Sequence, residues 1–214
     1  MPPSLQAQAR SALEESLLRP LGEWRFGPRW VGQTLHRPIA MGGRSSIHLA
    51  FTPASTGFDV TVDVAVRFDA VEELVQRENP RLGAAEKRAT STLGAELGNL
   101  RDERPLYWSV SIADPIAPTA SLMVEAIREI GIPYLDRYED PAEALSLLSD
   151  NGPHAWIHSP VPASRCMRAV ALAVVLGHAG LRELIQSSEA FLASSRDPAV
   201  TRFREFVKAL RGSA

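Results

Sequence analysis

The hydrophobic pattern predicts an α+β fold: an antiparallel β-sheet with helices packed on one face, followed by a C-terminal helical bundle. Three observations predict it. A helix-period stretch comes first, a run of period-2 stretches fills the middle, and from residue 120 onward the period is helical throughout. Strands grouped before helices mark an antiparallel sheet, whereas strict strand–helix alternation would mark a parallel doubly wound fold.

The elements follow in order. Ser4 to Arg19 places Leu5, Ala9, Ala12, Leu13 and Leu17 on one helical face, with Pro20 and Gly22 expected to end it. Trp24 to Pro38 reads as one or two β segments before the turn Met41-Gly42-Gly43-Arg44. Ile47, Leu49 and Phe51 alternate with polar or small residues, marking a half-buried strand. The clearest signal runs from Phe58 to Phe68, where every even position is apolar and Asp59, Thr61, Asp63 and Arg67 lie between. Such alternation predicts one face on a core and one toward water.

Asp69 and Glu72 suggest a capping box for a short helix through Glu78, closed by Pro80. Gly83 to Arg88 reads as a charged loop, Thr90 to Leu97 as a weaker strand, and Leu106 to Ile112 as the last strand. Ala120, Met123, Val124, Ile127 and Ile130 then form a helix stripe that Gly131 and Pro133 should stop. Asp140-Pro141 caps a further helix, since aspartate suits the N-cap and proline the first turn. Asn151-Gly152-Pro153 breaks it. Three helices are expected after that: Ala163 to Leu176, Leu181 to Ser195, and Pro198 to Arg211 behind the cap Asp197. The proline-rich stretch from Pro153 to Pro162 is the best candidate boundary between a sheet domain, residues 1–152, and a helical tail, residues 153–214, packed against it, with a single domain as the alternative.

Composition excludes several classes. The 214 residues carry 23 basic and 25 acidic groups, a net charge of −2 with pI near 6.2, so no basic excess points to nucleic acid. The longest apolar run, Ala169 to Gly177, is about half the ~20 residues a bilayer span needs. The N-terminal stretch lacks the apolar core of a secretory signal, and the one cysteine, Cys166, cannot form an internal disulfide. A cytoplasmic protein without membrane or nucleic-acid partners is expected. Phosphate-loop, dinucleotide-binding, nucleophile-elbow, HExxH and CxxC motifs are all missing, so no catalytic residue and no cofactor is assigned.

The stretch Leu18-Arg19-Pro20-Leu21-Gly22, then Val62-Asp63-Val64-Ala65-Val66, the Leu-Gly segment from Gly94 to Leu100, Tyr107-Trp108-Ser109-Val110 and Gly131-Ile132-Pro133-Tyr134-Leu135 come in a familiar order. This succession resembles an uncharacterised bacterial domain-of-unknown-function family, some of whose members look related to immunity-type proteins of toxin systems. The resemblance covers roughly the first two thirds of the chain. It implies a compact cytoplasmic domain and supplies no catalytic residues.

Candidate chemistry is sparse. His154 and His158 are four apart, yet prolines bracket them and no third ligand stands beside them, so a linker anchored by Trp156 is the reading and no metal site is assigned. His36 and His48 could face each other across the hairpin at Gly42 and Gly43. Cys166 reads as a buried structural residue, and Tyr134 to Asp140 as a charged, aromatic loop. The polar sheet face is the main candidate. Asp59, Asp63 and Arg67 project from the long strand, Tyr107, Ser109 and Ser111 from the last one, with Glu96 between. The expected ligand- or partner-binding residues are Asp59, Asp63, Arg67, Tyr107 and Ser109. Two uses stand side by side: a binding module for a protein partner, or a small hydrolase-type enzyme working through these carboxylates. A plain solvated sheet face is the ordinary alternative for these residues, and a helical tail that docks a partner protein is the third reading.

Overall fold

A computed structural model describes residues 3–77, 82–102, 104–194 and 199–212. The fold is α+β, with a five-stranded antiparallel sheet and a C-terminal group of helices. Helix α1 (Leu5–Gly22) is capped by Ser4, whose side chain accepts the Ala7 amide proton at 3.2 Å. Its buried stripe is Leu13, Leu17 and Leu21, while Leu5 is exposed. Each buried leucine is worth about 2 kcal/mol. The helix runs through Pro20 rather than stopping there. Proline fixes φ at a helical value and forfeits only the bond to the Ser16 carbonyl, which lies on the exposed face where water can replace it.

Strands β1 (Thr34–Pro38), β2 (Gly43–Ala54) and β3 (Gly57–Phe68) follow, with β1 and β2 antiparallel. Only the end of the expected Trp24–Pro38 segment is strand. Gly43 begins β2 at φ +119°, and a Cβ there would lie 2.0 Å from the Arg67 carbonyl oxygen, so only glycine fits. The alternation of β3 holds: Phe58, Val60, Val62, Val64, Val66 and Phe68 are all buried.

Helix α2 (Asp69–Gln76) has no side-chain cap: Phe68 rather than Asp69 holds the N-cap position, and the Asp69 carboxylate, in the first turn, accepts from Arg67. Glu78 and Pro80, expected to end this helix, lie outside the described residues. The expected loop at Gly83 to Arg88 is instead helix α3 (Ala84–Ala89), begun by a Glu86 carboxylate that accepts the Gly83 amide proton at 2.7 Å. Strand β4 (Leu93–Glu96) is shorter than its hydrophobic pattern, since Leu97 already opens helix α4 (Leu97–Asp102). Strand β5 (Tyr107–Ser111) pairs antiparallel with β3, giving a sheet ordered β1-β2-β3-β4 with β5 also on β3.

The expected stop at Gly131 and Pro133 does not occur. Helix α5 (Ile116–Ala126) passes through a π-helical turn (Ile127–Gly131) into α6 (Ile132–Tyr138). The wide turn lets the Ile132 amide reach the Ile127 carbonyl, which shifts the register just ahead of a proline that has no N–H to give. The expected loop at Tyr134 to Asp140 is therefore mostly helix, with Tyr134 and Tyr138 buried. Helix α7 (Pro141–Ser149) starts as expected, Asp140 accepting the Ala142 amide proton at 2.8 Å.

The remaining helices are α8 (Pro153–His158), α9 (Pro162–Val175), α10 (Leu181–Ser194) and α11 (Val200–Gly212). Asp197 and Pro198, the expected start of the last, lie outside the described residues. The expected linker around His154 is helical, and Trp156 is exposed rather than an anchor.

Packing divides the chain into two compact units. The first comprises Met1–Ile39, Arg44–Ala65 and Ala95–Arg137; in it α1 packs on α5, and α5 on β5. The second comprises Ala40–Gly43, Val66–Gly94 and Tyr138–Ala214, and is built around α9, which packs against α2, α7, α10 and α11. Ala169, Val170, Ala171, Leu172 and Ala173 are fully buried at its centre. Among the described residues no helix is long and apolar enough to cross a membrane.

Candidate functional site

The open face of the sheet in the first unit carries the polar residues left between the core positions of β3. The β3–β5 register sets Asp59 opposite Ser109 and Thr61 opposite Tyr107, and the Ser109 hydroxyl donates to Asp59 Oδ1 at 2.6 Å. Tyr107 is exposed beside them. The β1–β2 register sets Thr34 opposite His48 and His36 opposite Ser46. His36 and His48 are therefore diagonal on one face, not directly opposed. The Thr34 hydroxyl and His48 Nδ1 share a hydrogen bond at 2.9 Å.

Asp63 occupies the middle of this face. Its carboxyl is half-buried, and among the described residues no hydrogen bond reaches it. Loss of water around it raises its pKa; His48 works against the rise, and the Glu96 carboxylate adds to it. Glu96 is itself held in place. Its Oε1 accepts the amide protons of Gly98 at 2.9 Å and Leu106 at 3.2 Å, and its Oε2 accepts that of Asn99 at 3.2 Å, so it serves as the cap of α4. His36 is pushed the other way, its pKa lowered by burial and by the Arg44 cation. The face thus offers a partly desolvated acid with His48 and Glu96 near it.

Arg67, expected beside these acids, is bound elsewhere. It is buried in the second unit, its Nε donating to Asp69 at 2.6 Å and its Nη1 to the carbonyls of Lys87 at 3.1 Å and Thr90 at 2.8 Å. A guanidinium that collects the C-terminal carbonyls of α3 is a structural strut. The structure therefore joins Asp59 with Ser109 and leaves Asp63 and Tyr107 on the same open face, without the arginine.

Sequence reasoning gave Glu72 a capping role that it does not have and missed two arginines, Arg165 and Arg168. Glu72, fully buried, accepts from Arg168 Nε at 2.8 Å, and Arg165 is fully buried as well. A signal was present. Glu72 follows Val71 and precedes Val75 on the inward face of α2, and Arg165 precedes the all-apolar run of α9 by one turn. Charges on apolar stripes mark buried polar contacts.

His154 and His158 stack edge to face at 4.9 Å on α8, and His158 also packs on Tyr138. Cys166 is buried, as expected. Among the described residues no group of three or more histidine, cysteine or acidic side chains gathers as a metal would require.

No family model, curated protein or solved structure matches this chain. What the face can do follows from its own atoms. A carboxyl that is half dehydrated and lacks a donor favours a ligand that brings a cation or an N–H to it. The Asp59–Ser109 pair and Tyr107 provide polar and aromatic contacts around that point.

Proposed function

We propose that the protein is a non-catalytic binding module whose polar sheet face captures a partner protein through a basic side chain set against Asp63. The observation that carries this reading is the Asp63 carboxyl, held on a rigid strand, partly stripped of water and, among the described residues, without a hydrogen-bond donor. A lysine or arginine arriving there would find an acid whose desolvation is already partly met, and charge-assisted hydrogen bonds are about twice as strong as neutral ones. Asp59, Ser109 and Tyr107 would form the surrounding contact, Tyr107 supplying exposed aromatic area of the kind enriched at interfaces. An acidic face for a basic partner also suits the immunity-type resemblance of the sequence, in a cytoplasmic setting. A second reading, hydrolase-type acid–base chemistry, draws on the raised Asp63 pKa next to His48.

Affinity capture from the source organism, quantified by mass spectrometry, tests the first reading. The wild-type chain should enrich a basic protein that Asp63→Asn loses at least tenfold, while the exposed α5 control Glu125→Gln retains it. Equal capture by Asp63→Asn and wild type would overturn it.

A further inference from the structure

We propose that a groove at the N-terminus of α9, in the second unit, binds a phosphate group, as free phosphate or a small phosphomonoester. The groove has a volume of about 380 Å³, and its walls include Thr92, Ser159, Ser164 and Arg168. Ser164 and Arg168 stand on the first two turns of α9, and Ser159 on the link that leads into it. This helix end has no protein counter-charge of its own. Val161 at the N-cap offers no side-chain oxygen, Pro162 follows, and the first turn contains no acid. The positive end of the helix dipole and its first amides therefore favour an anion. Among the described residues the hydroxyls of Ser159 and Ser164 make no hydrogen bonds, and that of Thr92, which accepts the Phe68 amide proton, keeps its own proton to give.

The independent observation is Ser159, which lines the groove, is 3% exposed and has a hydroxyl without a hydrogen bond among the described residues; the charge behind it points the same way. Arg165 is fully buried behind the groove, its guanidinium carbon 5.6 Å from the Phe191 ring centre; its Nη1 donates to the Ser159 carbonyl at 3.2 Å, while its Nε and Nη2 make no hydrogen bond among the described residues. Arg168 is nearly buried and is matched by the fully buried Glu72. Asp150 acts on Arg165 only through space, being exposed and engaged with the Gly152 amide at 2.7 Å. The fully buried Arg165 and the partly exposed Arg168 thus have one buried carboxylate between them, leaving a positive excess behind the groove, and Ser159, which accepts from Arg165 and lines the groove, joins the two. A tetrahedral oxyanion matches donors that come from several directions: helix amides, hydroxyls and a guanidinium.

Calorimetric titration of the full chain at constant ionic strength tests the proposal, with inorganic phosphate, glycerol 3-phosphate and acetate as probes. Phosphate should bind saturably and at least tenfold more tightly than acetate. Ser164→Asp, which puts an acid where a helix N-terminus favours one, should fold normally and abolish binding. Arg165→Met should weaken binding at least fivefold while the protein still melts cooperatively. Tighter binding of glycerol phosphate than of phosphate would identify a phosphomonoester as the ligand, and the reverse would identify free phosphate. Absence of saturable binding, equal affinity for acetate, or unchanged affinity in both variants would overturn the proposal.

Discussion

Asp63 and Arg67 share the outward parity of one strand, yet they do different work. Arg67 is enclosed by backbone carbonyls and an aspartate, and it holds the segment that ends α3. Asp63 keeps an unbonded carboxyl whose charged form is disfavoured. The consequence for stability has a definite sign. The folded state binds the Asp63 proton more tightly than the unfolded chain does, so this residue's contribution to stability falls as pH rises through the interval from about pH 4 to its raised folded pKa. Asp63→Asn removes that penalty. The variant should melt at a higher temperature than wild type at pH 7, and the difference should shrink as the pH is lowered toward 4. Melting curves by circular dichroism across that range check it; a variant less stable than wild type at pH 7 would show that the carboxylate is stabilising. Arg67→Gln, by contrast, strips the α3 carbonyls of their donor and is not a neutral change.

Individual elements were legible wherever their own pattern was strong. The β3 alternation, the Asp140 cap and the three final helices all stand close to where the sequence places them. Proline and glycine do not by themselves end helices in this chain. Pro20 and Pro133 both sit inside helical paths, because one missing N–H is tolerable at an exposed turn or beside a π turn. Gly131 acts not as a stop but as a packing residue: a Cβ there would lie 3.2 Å from Val64 Cγ1 and 3.3 Å from Leu97 Cδ2. Both neighbours are fully buried and have little room to retreat. Alanine would gain up to about 1 kcal/mol of helix propensity, against roughly 1–3 kcal/mol for overpacking. Gly131→Ala should therefore destabilise the protein by about 1 kcal/mol, read as a lower urea midpoint with an unchanged slope. A higher midpoint would mean that propensity outweighs crowding.

At the scale of the whole molecule, α9 is the organising element of the second unit. It packs against α2 from the middle of the chain as well as α7, α10 and α11. Its run from Ala169 to Ala173 is fully buried, whereas Val174, Val175 and Leu176 are partly exposed at its end. A chain ending at Pro160 would remove the helix that packs on α2 and α7, whose buried residues include Val71, Val75, Ala144 and Leu148. It should bind an apolar dye and aggregate on size-exclusion chromatography. A monomeric, dye-silent product would show that α9 is not the centre of this core.

The sequence by itself determined the fold class, the face of β3 that meets the core and most helix positions, because period and capping chemistry act between residues near one another along the chain. It also marked the residues of the polar face, since strand parity alone puts Asp59, Thr61 and Asp63 on one side. Only the tertiary structure decided which charges are buried and with whom. Arg67 with the α3 carbonyls, Glu72 with Arg168 at a separation of 96 residues, and Glu96 with the Leu106 amide beyond α4 each depend on distant or irregular segments meeting. A charge's role is set by its local dielectric and its partners, and neither is a property of its neighbours in sequence.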